Sequence, residues 1–230
     1  GCTTVGVRTG HGLRKSKVQP DYIFENLKEA VDFILDEPYR ETFEDISKRV
    51  NNSGSTFVIS IGGQSRSGKS ILGTYLLKKF EEFGKTVLKI ELDHWIKPRE
   101  MRKVGDNVFD NFQMEKLEND LENFFSGKSI TAPGYQTHKT WPLNTVTYNP
   151  GKFDVLIVEG VVALSSKVLC KKSDLRVFKG ISKVELKKRF YSFYTWKDYD
   201  EAQIEKLWVQ RKTSEFDLIA DDIKQADLVI

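Results

Sequence analysis

The strongest constraint on this chain lies between Phe57 and Phe80. An apolar run, Phe57-Val58-Ile59-Ser60-Ile61, leads into Gly63-Gln64-Ser65-Arg66-Ser67-Gly68-Lys69-Ser70, and Ile71, Leu72, Tyr75, Leu76 and Phe80 follow at helical spacing. The octet fits G-x-x-x-x-G-K-[ST], and the order strand, glycine loop, helix is the setting in which that pattern binds phosphate. Glycine lets backbone wrap closely around phosphate oxygens, where a side chain would block the approach. The backbone N–H groups of Gly63, Gln64, Ser65, Arg66, Ser67, Gly68, Lys69, Ser70 and Ile71 then surround the anion at a helix N-terminus. Lys69 is placed to reach the terminal phosphates, and the Ser70 hydroxyl to hold magnesium. The competing reading is a glycine-rich loop with a surface lysine.

The rest of the composition excludes more than it identifies. At 230 residues the chain is long enough for one domain with a small appendage. A net charge of +3 and no long basic run argue against nucleic acid. The two cysteines, Cys2 and Cys170, form no metal-ligand spacing and are too few for a disulfide scaffold, so a reducing compartment is expected. No apolar stretch approaches the roughly 20 residues of a membrane span, and no signal peptide is visible. A cytoplasmic protein without membrane contact is expected. Its oligomeric state is left open.

Periodicity divides the chain into residues 1–38, a helix and linker over 39–55, and a main domain over 56–230. Ile23, Phe24, Leu27, Val31, Ile34 and Leu35 predict a helix from Tyr22 to Leu35 with Asp21 as its N-cap. Phe43, Ile46 and Val50 predict a second one. Strands are expected at Thr86–Leu92, Asp154–Glu159, Leu175–Phe178 and Ala226–Ile230. Helices are expected around Met114–Phe125, from Ser182 through Phe193 with a Ser182–Glu185 capping box, and over Glu201–Leu218. Strands alternating with helices mean an α/β fold, a three-layer sandwich around a parallel sheet, with a short strand–helix appendage in front. Ligands bind such sheets at the carboxyl ends of the strands. The phosphate loop, Asp93 and Glu159 all fall there.

Phosphoryl transfer needs charge neutralisation, a metal and an oriented nucleophile. Lys69 and the loop amides supply the first. Ser70 and Glu159, the latter placed like a Walker-B acid, are the candidate magnesium ligands; the bland reading of Glu159 is a surface carboxylate ending a strand. Asp93 is a candidate base for an acceptor hydroxyl, or else a carboxylate starting a turn. Tyr135, His138, Lys139 and Trp141 mix aromatic and polar groups in a proline-rich segment suited to holding a substrate, with Tyr135 and His138 the candidate contacts. Arg189, within Lys187-Lys188-Arg189, and more weakly Arg211, are candidates to close over the transferring phosphates; a solvated helix face is the alternative. No N-K-x-D or T-K-x-D segment exists to read guanine in a nucleotide switch.

From Phe57 to Ile230 these residues resemble the uridine kinase and phosphoribulokinase group of P-loop kinases. The likeness rests on I-G-G-Q-S-R-S-G-K-S at Ile61–Ser70, L-D-H-W at Leu92–Trp95, N-F-Q-M-E-K-L at Asn111–Leu117 and A-P-G-Y at Ala132–Tyr135. It continues in V-L-I-V-E-G at Val155–Gly160, K-K-R-F at Lys187–Phe190 and Q-A-D-L-V-I at Gln225–Ile230. The resemblance implies ATP and magnesium as cofactors, a small-molecule hydroxyl acceptor, Lys69 and Arg189 at the phosphates, and Asp93 as general base. Two departures bear on the acceptor. Phe193-Tyr194 stands near where the family's lid often carries a second Arg-Asp run. Gln136-Thr137-His138 does not match the nucleoside-holding motif. The expected acceptor therefore widens from a nucleoside to a sugar or polyol.

The first 36 or so residues resemble something else. G-C-T-T-V-G-V-R-T-G followed by P-D-Y-I-F-E-N-L-K-E-A-V-D-F-I is similar to the closing strand and helix of a haloacid dehalogenase-type sugar-phosphate phosphatase. No D-x-D, the catalytic motif of that family, lies within residues 1–38. The resemblance implies covalent fusion to an upstream phosphatase domain in the parent chain.

Overall fold

A computed structural model of the chain describes residues 4–9, 20–36, 38–103, 105–134 and 145–230. The chain separates into two units, Gly1–Arg49 and Val50–Ile230.

In the first unit, β1 (Val5–Val7) and β2 (Tyr22–Phe24) pair in parallel, Val5 opposite Tyr22 and Val7 opposite Phe24. They are followed by α1 (Leu27–Asp36) and α2 (Arg40–Asn51), whose end passes the unit boundary. The helix expected from Tyr22 thus begins five residues later, and Asp21 is not its cap. The Asp21 carboxylate accepts the backbone N–H and the hydroxyl of Thr4 at 2.7 and 2.8 Å, tying β2 to β1. Those two bonds hold its pKa below the usual carboxylate value. Asn26 takes the capping role, accepting the Glu29 N–H at 3.0 Å.

The second unit is built on five parallel strands in the order β4-β7-β3-β8-β9. These are β3 (Phe57–Gly62), β4 (Val87–Glu91), β7 (Val155–Glu159), β8 (Leu175–Phe178) and β9 (Leu228–Val229). Every residue of β3 and β7 is buried, which is why both read as unbroken apolar runs. On one face, Val58, Ile90, Leu156 and Val158 share a core with Leu117, Leu121 and Phe124 of α4 (Met114–Phe125) and Val168 and Leu169 of α5 (Lys167–Lys172). On the other lies α3 (Lys69–Glu82), close enough that a Cβ on Gly73 would sit 3.7 Å from Ile61. The three-layer α/β architecture expected from the sequence is the one observed. A separate antiparallel pair, β5 (Ile130–Ala132) and β6 (Val146–Tyr148), joins Ile130 to Tyr148 and Ala132 to Val146.

A second, smaller core gathers Leu186 and Phe190 of α6 (Lys183–Trp196), Ile204 of α7 (Glu201–Arg211) and Phe216. The expected capping box of α6 is half formed. Ser182 Oγ accepts the Glu185 N–H at 3.2 Å, but the Glu185 carboxylate turns to Arg189 instead of returning to the cap. The full reciprocal box is Asp200 with Gln203 at the start of α7. The single helix expected over Glu201–Leu218 is interrupted. A π-helical turn, Lys212–Phe216, separates α7 from α8 (Asp217–Ala220). Its extra residue rotates the following face, and Glu215 and Phe216 are both buried. Among the described residues no helix is long and apolar enough to cross a membrane.

Candidate active site at the strand ends

The loop between β3 and α3 is shaped by three residues with positive φ: Gly63 at 137°, Arg66 at 65° and Gly68 at 101°. A Cβ on Gly63 would lie 2.4 Å from the carbonyl oxygen of Lys179, so the position has no room for a side chain. Arg66 holds the left-handed conformation without being glycine, a strain on the order of 1–3 kcal/mol that surrounding contacts must offset. Those contacts are evident. Its guanidinium lies 5.1, 4.3 and 5.2 Å from the ring centres of Phe190, Phe193 and Tyr194 on α6. Arg189 of the same helix donates to the Arg66 carbonyl at 3.2 Å.

Lys69 opens α3 and is buried, its ammonium donating to the Gln64 carbonyl at 2.9 Å. Burial pushes its pKa down; the carboxylates of Asp93, Glu159 and Glu215 oppose that shift. Asp93 lies in the short 3₁₀ turn Leu92–Trp95 that follows β4. Burial pushes its pKa up, with Lys69 the main opposing charge. Glu159 ends β7, in register with Ile61 of β3 and Glu91 of β4. Its pKa is likewise raised by burial and drawn back by a hydrogen bond with Ser70. The sheet thus delivers Lys69, Ser70, Asp93 and Glu159 to one place from three separate segments.

Three features of this place are absent from the sequence reading. Glu215, from the π-helical turn, accepts the backbone N–H of Ser65 at 3.2 Å and pairs with Arg211. One residue on, the Phe216 carbonyl accepts from the Gln64 side chain at 2.8 Å. The loop's first half is therefore held from a segment 150 residues away. Beside Asp93, His94 Nδ1 meets the Tyr148 hydroxyl at 2.7 Å, and the same hydroxyl accepts the Glu91 N–H at 3.2 Å. Burial pushes Tyr148 up to about 12 and His94 down, so at neutral pH both are uncharged. The only local signals for these contacts were an acidic residue between aromatic and polar neighbours and a tyrosine ending a β-branched run.

Of the basic cluster on α6, only Arg189 is brought to the loop. Lys187 pairs with Glu205 at 3.3 Å and packs over Tyr191 and Trp208, facing α7. Lys188 is largely solvated. Ile71, whose amide was placed at the anion, carries an exposed side chain in the first turn of α3. Tyr135, His138, Lys139 and Trp141 lie outside the described residues.

The site fits a nucleotide phosphate and a divalent cation on its own terms. Ser67 Oγ and Arg66 Nε are buried at the loop with no described hydrogen-bond partner. Asp93, Glu159 and Glu215 all act on the buried Lys69, so carboxylates outnumber the ammonium there. A cation held between Ser70 and Glu159 would relieve that excess.

Residues 58–230 match the Phosphoribulokinase / Uridine kinase family. A uridine kinase of Macrococcus caseolyticus (strain JCSC5402) is 31% identical over 130 residues, 54% of this chain and 61% of that protein. The chain thus spans about three-fifths of the length of the curated relatives it matches. A solved structure described as a possible uridine kinase from Bacillus stearothermophilus superposes with a TM-score of 0.59 at 22% identity, covering 84% of this chain and 99% of that one. The D-glycerate 3-kinase of Cryptococcus neoformans var. grubii gives 0.57 at 12% identity, over 80% and 89%. These two likenesses show the fold. With a parallel sheet that carries a glycine loop, a buried lysine and two carboxylates at its strand ends, and with three quarters of its length matched, the chain belongs to the phosphoribulokinase / uridine kinase family.

Proposed function

We propose that this chain is a small-molecule kinase that moves the γ-phosphate of ATP, with magnesium, to a hydroxyl of a nucleoside, sugar or polyol. The observation that carries this reading is the meeting at the strand ends of Lys69, buried where α3 opens, and Asp93, a half-buried carboxylate in the turn after β4 whose charge is felt at Lys69. A nucleotide hydrolase uses such a carboxylate to orient water, and a nucleotide sensor has no use for it. A kinase has one: to accept the proton of the acceptor hydroxyl as its oxygen attacks the terminal phosphorus and the bond to ADP breaks. Lys69 holds the phosphates throughout. Arg189, bonded to the Arg66 carbonyl of the loop, would steady the charge in flight. Ser70 and Glu159 would hold magnesium, which when bound spreads the negative charge of the phosphates.

Acceptor-dependent ADP release is the test. ATP and magnesium are incubated with uridine, cytidine, ribose, ribitol, glycerate and pantothenate in turn. Release that needs one of these supports the kinase; release at the same rate without any of them points to a plain nucleotide triphosphatase and removes the role given to Asp93.

The N-terminal strand and helix are read as closing elements of a haloacid dehalogenase-type domain, on motif resemblance. Sequencing the parent gene upstream of Gly1 tests this; no D-x-D segment there would end the idea.

A further inference from the structure

In place of a second arginine near its middle, α6 presents Phe193 and Tyr194, and their rings are taken up by the Arg66 guanidinium at 4.3 and 5.2 Å. A cation reaches the same loop from a different helix. Arg211, the last residue of α7, donates through Nη1 to one oxygen of Glu215, and the other oxygen of Glu215 accepts the backbone N–H of Ser65 at 3.2 Å. A single carboxylate therefore spans from a phosphate-loop amide to a guanidinium. The Glu215 side chain is 3% exposed and that of Arg211 is 38% exposed. The carboxylate is sealed in and the arginine is partly open. A guanidinium carries five N–H donors in a rigid fork suited to phosphate oxygens.

The Ser65 hydrogen bond puts the pair against the first half of the loop between β3 and α3. The Glu215 charge acts on Lys69 at the phosphate side and on Asp93 at the acceptor side. The terminal phosphate must lie between those two residues for transfer to occur. The π-helical turn that places Glu215 is an irregularity of the kind that recurs where a helix serves a site. It is also fastened to the loop by Gln64 and to the segment before α4 by the Val108 N–H, which donates to the Ser214 carbonyl at 2.7 Å.

We propose that Arg211 is a catalytic arginine that contacts the terminal phosphate, and that Glu215 is the positioning residue that holds it there. The assignment rests on the kinase reading above, since only a nucleotide whose terminal phosphate is in play gives it a task.

Nucleotide binding by calorimetry tests it without any acceptor. ATP and ADP, each with magnesium, are titrated into the wild-type chain and into Arg211→Met, Arg211→Lys and Glu215→Gln. A charge-assisted contact to the terminal phosphate predicts that Arg211→Met weakens ATP by about 10- to 100-fold and leaves ADP within about threefold. Should that variant fail to fold, Arg211→Lys is read the same way: it keeps the charge, loses the fork, and should still lower the preference for ATP over ADP. Glu215→Gln keeps an oxygen for the Ser65 N–H but drops the charge that orients Arg211, so ATP should weaken and ADP should not. An unchanged ATP-to-ADP preference in Arg211→Met, or equal losses for both nucleotides, would overturn the arginine. Wild-type affinities in Glu215→Gln would overturn its positioning role. The two readings fail separately. A wild-type chain that phosphorylates an acceptor while Arg211→Met keeps its ATP preference sinks only this proposal. A shifted preference in a chain that phosphorylates nothing sinks only the kinase. A wild type that binds neither nucleotide sinks both.

Discussion

The Arg66 guanidinium lies 4.3 Å from the ring centre of Phe193, so the phosphate loop is locked to α6 by a cation on an aromatic face. Phe190 and Tyr194 add two more faces at 5.1 and 5.2 Å. Such contacts are worth about 0.5–2 kcal/mol, more when water is kept out. Arg66→Ala removes them and also leaves a non-glycine residue in a left-handed conformation with less to hold it. Amide hydrogen exchange should become faster across α6 while the central sheet is unchanged. Equal protection of α6 in both proteins would mean that the cage does not secure the helix.

Lys69→Met keeps the bulk of the side chain and removes the ammonium. Turnover on the true acceptor should fall by at least about 10³-fold, the scale on which losing a preorganised charge at a transition state is felt. The variant should also melt no lower than wild type, since burial disfavours the lysine charge that it removes. Steady-state kinetics and a thermal melt check the two halves independently.

Asp93→Asn should spare ATP binding and lower phosphoryl transfer by about 10²–10⁴-fold. Its pH behaviour follows from burial, which raises the folded-state pKa above the ordinary carboxylate value. As a base Asp93 must be ionised, so kcat/KM should fall as pH drops through that raised value, and the fall should vanish in the variant. For stability, a carboxyl whose pKa is raised by folding stabilises below its unfolded pKa, and that contribution is lost as pH rises through the folded one. Above the folded-state value the ionised group therefore costs stability, and there Asp93→Asn should raise the Tm. Glu159 and Glu215 remain to balance Lys69. A lower Tm in the variant would show that pairing with Lys69 outweighs burial.

Tyr148→Phe strips one hydroxyl that serves both the Glu91 N–H and His94. Leaving a buried donor unmet costs about 1–3 kcal/mol, to be read from denaturant unfolding. Nitrogen chemical shifts of the His94 ring should also change, because the hydroxyl governs which ring nitrogen carries the proton. Unaltered shifts would place the proton under other control.

Much of this was legible because it is local. β3, the glycine loop and α3 are contiguous, so their spacing alone predicts them, and the buried β7 announces itself by lacking alternation. The start of α1 was not legible, because a three-residue strand fits a 3.6-residue period as readily as a two-residue one, and Asp21 before it reads as a cap. Asp200 and Gln203 have the spacing of a capping box, as do Ser182 and Glu185, and spacing does not tell the full box from the half-formed one. Glu215 had no signal. The turn that buries it has no residue signature, and its partners Ser65 and Gln64 lie at the other end of the domain. On the acceptor side, the aspartate was visible as a strand-end acid, whereas the His94–Tyr148 pair depends on β6 returning beside β4.

Lys69 carries an unusual condition into any encounter with an anion. Its ammonium parted from water when the chain folded, and a loop carbonyl is a meagre substitute for a hydration shell. An anion arriving at the loop would meet a cation that gave up most of its solvent on folding. The dehydration that ordinarily slows ion pairing in water has been moved from the encounter to the folding step.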